Sequence, residues 1–127
     1  MKLIYIAGPF RGQIPWDVEQ NVRRAEALAL SVWCLGAAAL CPHTNTRFFD
    51  KAGDDAVFLE GTMEMLRRCN AMLLVQPDWH KSSGTKAEIA EALRLHIPVF
   101  GDILRLNDFI KGAPYLSLEA HHFHGKL

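Results

Sequence analysis

Four short apolar runs recur along the chain, and turn-forming residues follow each of them. The runs span residues 2–7, 37–41, 71–75 and 97–100. Apolar runs of this length, bounded by glycine and proline, are typical of strands buried on both faces of a parallel sheet. Segments with the helical spacing of apolar residues separate them, so the element order is that of repeated β-α-β units. The sequence therefore predicts an α/β fold with a parallel sheet and right-handed crossovers.

The same spacing predicts where the helices lie. A first helix begins at Asp17, with Gln20 as its capping-box partner, and ends at Gly36. The other predicted elements are helices over 55–69 and 84–96, a short helix near 103–110 and a further strand near 115–119. At 127 residues the chain fits one domain, residues 1–127, and is long enough to bury a core.

Charge and cysteine content narrow the function classes. Lysine and arginine number 14, as do aspartate and glutamate, so the chain is neutral and has no basic stripe for duplex nucleic acid or an anionic membrane. Binding of a small anionic ligand is compatible with this net charge, because a local pocket can be positive on a neutral protein. Cys34, Cys41 and Cys69 show no CxxC spacing and are interpreted as reduced packing residues. With no signal peptide and no membrane-spanning run, a cytoplasmic location is expected.

In a parallel sheet, ligands bind beyond the carboxyl ends of the strands. The loops that follow these ends are 8–16, 42–54 and 76–83. The third loop leads into Ser82-Ser83-Gly84-Thr85, where free N–H groups and the helix dipole favour an anion. Thr85 and Glu88 also have the spacing of a capping box, which many helices without a ligand share. From spacing alone, both interpretations stay open.

The first loop carries Gly8-Pro9-Phe10-Arg11-Gly12, which is neither a GxGxxG fingerprint nor a P-loop. Gly8 and Gly12 can let a ligand approach the backbone, and Arg11 can pair with a phosphate or a carboxylate. The alternative is a glycine-punctuated turn with a solvated arginine. Both interpretations are about equally supported by the residues alone.

The other two loops offer weaker candidates. His43 follows the second run, and a lone histidine is more often a structural hydrogen-bonding group than a catalyst. Asp78 can accept a hydrogen bond from a ligand hydroxyl, while Trp79 can either stack on a base or cover the sheet edge. The terminal histidines have no matching ligands at a persuasive spacing, so no metal site is predicted there; they are His121, His122 and His124.

Several of these segments together resemble the nucleoside 2-deoxyribosyltransferase superfamily, in the broad sense that includes nucleotide N-glycosidases and small uncharacterised relatives. The matching segments are 5–12, Asn21, 41–43, 69–75 and 82–92, of which the last is the most specific. They occur in order over residues 2–100. The resemblance implies a flavodoxin-like, three-layer fold whose five-stranded parallel sheet has the order 2-1-3-4-5, with helices on both faces.

The resemblance also implies site residues. Glu88 is expected to attack C1′ of a ribosyl or deoxyribosyl group, leaving a covalent glycosyl-enzyme that water or another base resolves with net retention. Tyr5 is expected to position the Glu88 carboxylate through its hydroxyl. The residues expected to contact the substrate are Gly8, Phe10, Arg11, His43, Asp78, Ser82, Ser83, Gly84 and Thr85.

The chain departs from the family pattern at three positions. Thr62 and Asn70 stand where relatives carry acidic residues that help to protonate the departing base. Loss of such a general acid costs about 10²–10⁴-fold in rate. Ser82 stands where other members carry an aspartate, and a serine there accompanies members that act on nucleoside monophosphates.

The leading hypothesis is therefore an N-glycosidase or glycosyl-transferring enzyme that acts on a nucleoside or nucleoside 5′-monophosphate, without a metal or an organic cofactor. The main alternative is a non-catalytic nucleotide-binding module that has lost the general acid. A structural or interaction protein with a vestigial site is the third. The resemblance further implies a homo-oligomer.

Overall fold

The computed structural model describes residues 1–49 and 52–119. The elements are β1 (Leu3–Ala7), α1 (Pro15–Cys34), β2 (Ala38–Leu40), α2 (Pro42–Asn45), α3 (Asp55–Arg67), β3 (Ala71–Leu74), a 3₁₀ turn (Trp79–Lys81), α4 (Ser83–Arg94), β4 (Val99–Phe100) and α5 (Ile103–Ile110). Each predicted apolar run contains a strand. Within the described residues, no helix is both long and apolar enough to cross a membrane.

The four strands are parallel and lie in the order β2-β1-β3-β4. The predicted α/β fold with a parallel sheet is confirmed, while the predicted fifth strand is wrong. Leu118 makes one antiparallel bridge to Val99, with Leu118 N–H donating to the Val99 carbonyl at 2.8 Å. Because β4 is only two residues long, it offers little free edge. Tyr115 instead packs its ring against Phe100 and Phe109.

The strands are buried on both faces, as their composition predicts. One hydrophobic cluster contains Tyr5 and Ala7 with buried residues of α3 and α4. The other contains Ile4 and Ile6 with buried residues of α1 and α5. The sheet is therefore the middle of three layers. Since side chains alternate along a strand, Tyr5 faces the α3 and α4 layer, which brings it toward Glu88.

The start of α1 differs from the prediction. The helix begins at Pro15, and Asp17 lies in its first turn rather than before it. The Asp17 carboxylate accepts hydrogen bonds from the N–H groups of Gln13 and Ile14, at 3.0 and 3.3 Å, so it satisfies donors that precede the helix. Proline at the first helical position needs no N–H partner, which moves the start two residues earlier. Gly36 follows the helix end with φ of 88°, as predicted.

Gly8 follows β1 and lies against Val75, which follows β3. A Cβ atom at this position would lie 2.6 Å from Val75 Cβ, which is too close for any side chain. We expect Gly8→Ala to lower the free energy of unfolding by about 1–3 kcal/mol, because the strand ends must move apart. Gly61→Ala is the matched control. A Cβ atom there meets nothing within 4 Å, and it should stabilise α3 by about 0.5–1 kcal/mol.

Urea unfolding of the two variants measures both changes. A Gly8→Ala protein as stable as the wild type would show that the strand ends accommodate a methyl group and would contradict this account of Gly8.

Candidate active site

A tyrosine and a glutamate that lie 83 residues apart in the sequence form the centre of the site. The Tyr5 ring is fully buried on β1, and its hydroxyl donates a hydrogen bond to Glu88 Oε2. Glu88 lies in the second turn of α4, partly buried above the sheet. Tyr5 is the one side chain that hydrogen-bonds to this carboxylate among the residues that the structure describes.

Burial changes the acidity of both groups. Burial raises the pKa of Glu88 to about 7, and the hydrogen bond from Tyr5 opposes this rise by stabilising the carboxylate. Burial, together with the negative charge of Glu88, holds the pKa of Tyr5 far above its usual range. The phenol therefore keeps its proton and donates, while the carboxyl group titrates near neutral pH. A carboxyl group poised in this way suits a nucleophile or a general base.

Ser82 caps α4. Its hydroxyl oxygen accepts from Thr85 N–H at 3.1 Å and from the Thr85 hydroxyl at 2.9 Å, and Thr85 is buried. The capping box that pairs Thr85 with Glu88 is thus wrong, because the helix begins three residues before the spacing suggested. Ser83 and Gly84, in the first turn, are exposed. Of the four residues 82–85, these two remain most accessible to a ligand.

The first loop lies over the carboxyl end of β1. The Phe10 ring contacts the His43 ring edge-on, with centroids 5.9 Å apart. The Arg11 guanidinium pairs with the Asp55 carboxylate at 3.2 Å, and both side chains are largely exposed. An exposed ion pair of this kind is weak. An anionic ligand can therefore compete with Asp55 for Arg11 at little cost.

His43 is buried on α2, and its contacts are to backbone atoms. Its Nε2 lies 3.1 Å from the Gly8 carbonyl oxygen and 2.9 Å from that of Pro9, so Nε2–H donates to both. Burial lowers the pKa of His43, which favours the neutral ring. The buried Nδ1 atom has no hydrogen-bond partner within the described residues.

The third loop places its two candidate residues differently. Asp78 lies 3.4 Å from Lys81 Nζ and 4.0 Å from Arg24 Nη1, so its carboxylate already faces two cations. Trp79 is buried in the cluster on the α3 and α4 side. Of the two interpretations for Trp79, the structure favours the one in which it covers the sheet.

Asn70 lies at the opposite edge of the sheet from these loops. Its side-chain oxygen accepts from Leu3 N–H at 2.7 Å, and its backbone N–H donates to the Leu3 carbonyl at 2.8 Å. It thus ties the start of β3 to the start of β1. Thr62, the other position where an acid was expected, is partly buried on α3.

Asn21 is the contact residue whose role sequence spacing did not reveal. Its Nδ2 group lies 3.1 Å from the Phe10 carbonyl oxygen and 3.3 Å from that of Arg11. Its presence among the segments of the family resemblance was the only signal for a role.

In residues 1–49 and 52–119, no three His, Cys, Asp or Glu side chains are grouped to hold a metal ion. The histidines from His121 onward lie outside the described residues.

The fold is shared with solved structures. A 2-deoxyribosyltransferase from Bacillus psychrosaccharolyticus superposes with a TM-score of 0.59 at 21% identity, covering 77% of this chain and 69% of that one. A conserved protein from Enterococcus faecalis V583 superposes with a TM-score of 0.64 at 19% identity, covering 99% and 86%. At such identities the likeness shows the fold alone.

Sequence comparison gives the family. None of the curated proteins matches the chain. The family described as a domain of unknown function (DUF7768) matches residues 2–101, which include all four strands and the Tyr5 and Glu88 pair. The chain therefore belongs to the DUF7768 family of domains of unknown function.

Proposed function

We propose that this protein is an enzyme that breaks the N-glycosidic bond of a nucleoside or a nucleoside 5′-monophosphate, with Glu88 as its nucleophile. The observation that carries the proposal is the Tyr5 and Glu88 pair, in which a buried phenol holds a partly buried carboxyl group with a pKa of about 7. The similarity of fold to a 2-deoxyribosyltransferase supports the same class of chemistry.

The first step forms a glycosyl ester on Glu88. Tyr5 binds Oε2, so Oε1 keeps free lone pairs and attacks C1′ of the sugar. The new C1′–O bond forms as the C1′–N bond breaks, and the base leaves with the bonding electron pair. Tyr5 keeps its proton throughout and holds the carboxylate in line with C1′.

The second step restores the enzyme. Water attacks C1′ on the face that the base left, the ester C1′–O bond breaks, and its electrons return to the Glu88 carboxylate. The proton lost by water ends on the departed base or in solvent. Two displacements at C1′ give net retention, and a second base in place of water gives glycosyl transfer instead of hydrolysis.

The phosphate of a 5′-monophosphate has a candidate position at the start of α4. Ser83 and Gly84 are exposed there, and the first N–H groups of a helix favour an anion. Ser82 stabilises this end of the helix as its cap and is not a direct ligand of the phosphate. Arg11, on the first loop, is a further candidate cation for the same phosphate.

One observation favours the rival, a nucleotide-binding module without turnover. Tyr5 is the single hydrogen-bond partner of Glu88 among the described residues, and it stays protonated, so it does not protonate the base. Asn70 is engaged at the other sheet edge. The proposed enzyme therefore relies on solvent to protonate the leaving base, and bases that leave readily as anions should react fastest.

A chromatographic screen for free base tests the proposal. The wild type and Glu88→Ala are incubated with ribonucleosides, 2′-deoxyribonucleosides and their 5′-monophosphates. We expect the wild type to release base from at least one of them and Glu88→Ala to release none above the background rate. Stabilisation of the wild type by a nucleotide in a thermal-shift assay, without base release from any compound, would contradict the proposed enzymatic activity and support the binding module.

The homo-oligomeric state implied by the family resemblance stays a prediction.

A further inference from the structure

The first loop is held by side chains from two helices. Four consecutive carbonyl oxygens, those of residues 8–11, each accept a hydrogen bond from one of only two side chains. His43 Nε2 donates to Gly8 and Pro9, and Asn21 Nδ2 donates to the next two. Within the described ranges, residues 9–12 make no backbone–backbone hydrogen bond. The path of residues 8–11 is thus set by His43 and Asn21.

The Asn21 amide is itself held in orientation, and the His43 ring is confined by its burial. Arg24 Nη2 donates to Asn21 Oδ1 at 3.2 Å, so the amide must present its Nδ2 group to the loop. Arg24 Nη1 lies 4.0 Å from Asp78 on the third loop, which links the two loops through α1. His43 needs a proton on Nε2 to donate to two carbonyls, and its burial excludes water as a replacement partner.

The alternative role for His43 is direct contact with a ligand. Its Nε2 is already used by two carbonyls, and its side chain is 5% exposed. Only Nδ1 lacks a partner, and that atom is buried. The geometry therefore favours a role that acts through the loop.

We infer that Asn21 and His43 are positioning residues of the candidate site, which fix the first loop and thereby the places of Phe10 and Arg11 beside the substrate. The inference rests on the proposed function in one respect, that this loop borders the bound nucleoside. The clamp itself is a property of the protein without substrate. It can therefore be tested separately.

Limited proteolysis measures the clamp. Arg11 is 74% exposed, so trypsin can cut Arg11–Gly12 once the loop opens. Lys111–Gly112 is the reference bond, because it follows α5, away from the first loop. We expect Asn21→Asp, which keeps the shape but loses both donors, to raise the ratio of cleavage at Arg11–Gly12 to that at the reference bond about tenfold. Ser31→Ala, on the exposed side of the same helix, should leave the ratio unchanged.

Two substitutions of His43 separate its donor from its ring. His43→Gln can keep a donor near the position of Nε2, whereas His43→Phe keeps a ring against Phe10 and has no donor. We expect the cleavage ratio to stay near the wild-type value in His43→Gln and to rise about tenfold in His43→Phe. Asn21→Ala, which has no side-chain donor, provides the same test as Asn21→Asp if the acidic variant folds poorly.

A cleavage ratio within twofold of the wild type in both Asn21→Asp and His43→Phe would overturn the clamp, whatever the substrate. If the ratio rises, the base-release assay tests the positioning role. We then expect KM to rise about tenfold in Asn21→Asp, with the pH midpoint of the rate unchanged, since Glu88 is untouched. Unchanged KM and kcat in a variant whose loop has loosened would overturn the positioning role. A wild type that releases no base refutes the proposed function, and the proteolysis result on the clamp stands by itself.

Discussion

Glu88→Gln should lower the rate of base release by at least about 10³-fold. Glutamine has the shape of glutamate, and its amide oxygen can still accept the hydrogen bond from Tyr5. An amide oxygen is a far weaker nucleophile than a carboxylate, so the glycosyl ester does not form. Single-turnover assays, with the substrate identified by the screen, measure the loss at the chemical step.

The stability of the same variant supplies its control. The pKa of Glu88 is about 7 in the folded protein and 4.5 as its ordinary value, so ionisation costs more in the folded state. The contribution of Glu88 to the free energy of unfolding is therefore largest below pH 4.5, falls as the pH rises toward 7, and stays lower above it. Glutamine does not ionise, and we expect Glu88→Gln to be more stable than the wild type by about 3 kcal/mol at pH 8 and by about 1 kcal/mol or less at pH 5.

These two results together distinguish a nucleophile from a structural residue. An inactive variant that is also more stable at pH 8 has lost chemistry and kept its fold. Retained base release in Glu88→Gln would contradict the mechanism, and lower stability at pH 8 would contradict the assignment of Glu88 as a buried, costly carboxylate.

Tyr5→Phe should lower the rate at pH 7 by about 10–100-fold and move the midpoint of its pH dependence upward. The wild-type rate should rise with pH through a midpoint near 7, because only the ionised carboxyl group attacks. The Tyr5 hydrogen bond favours that ionised form, and its loss raises the pKa of Glu88 further. Part of the activity should therefore return at higher pH.

The pH dependence of kcat/KM in wild type and variant measures this shift. The chain has two tyrosines, and Tyr115→Phe is the matched control, because Tyr115 packs against Phe100 and Phe109. It should leave the midpoint unchanged. A Tyr5→Phe enzyme with reduced activity and the wild-type midpoint would show that the hydroxyl supports the site only by packing.

Much of the fold could be predicted from the sequence, because short apolar runs between amphipathic segments leave few alternatives to a parallel sheet. The absence of a fifth strand could not be predicted, since pairing at the sheet edge depends on the length of β4. Val99 and Phe100 form its whole extent, and Leu118 has room for a single bridge. The apolar composition of 115–119 gives no information about the length of β4.

The site was predictable only in part. Glu88 and Tyr5 are 83 residues apart, and no local pattern brings them together; the family resemblance paired them, and the strand pleat and α4 place them in contact. Asn21 and His43 donate hydrogen bonds to backbone carbonyls. Every residue has such a carbonyl, so the sequence does not indicate which residues are their partners. Spacing suggested a capping box at Thr85, whereas Ser82 supplies the cap.

The most direct test of the central claim is mass spectrometry of the trapped glycosyl-enzyme. The substrate from the screen is supplied with fluorine at C2′, which destabilises the positive charge that develops at C1′ and slows turnover of the intermediate. After acid quench and trypsin, we expect the mass of the fluoroglycosyl group on the peptide 87–94, located at Glu88 by fragmentation and absent from Glu88→Gln. Base release without that adduct, or an adduct at Glu91 of the same peptide, would contradict Glu88 as the nucleophile.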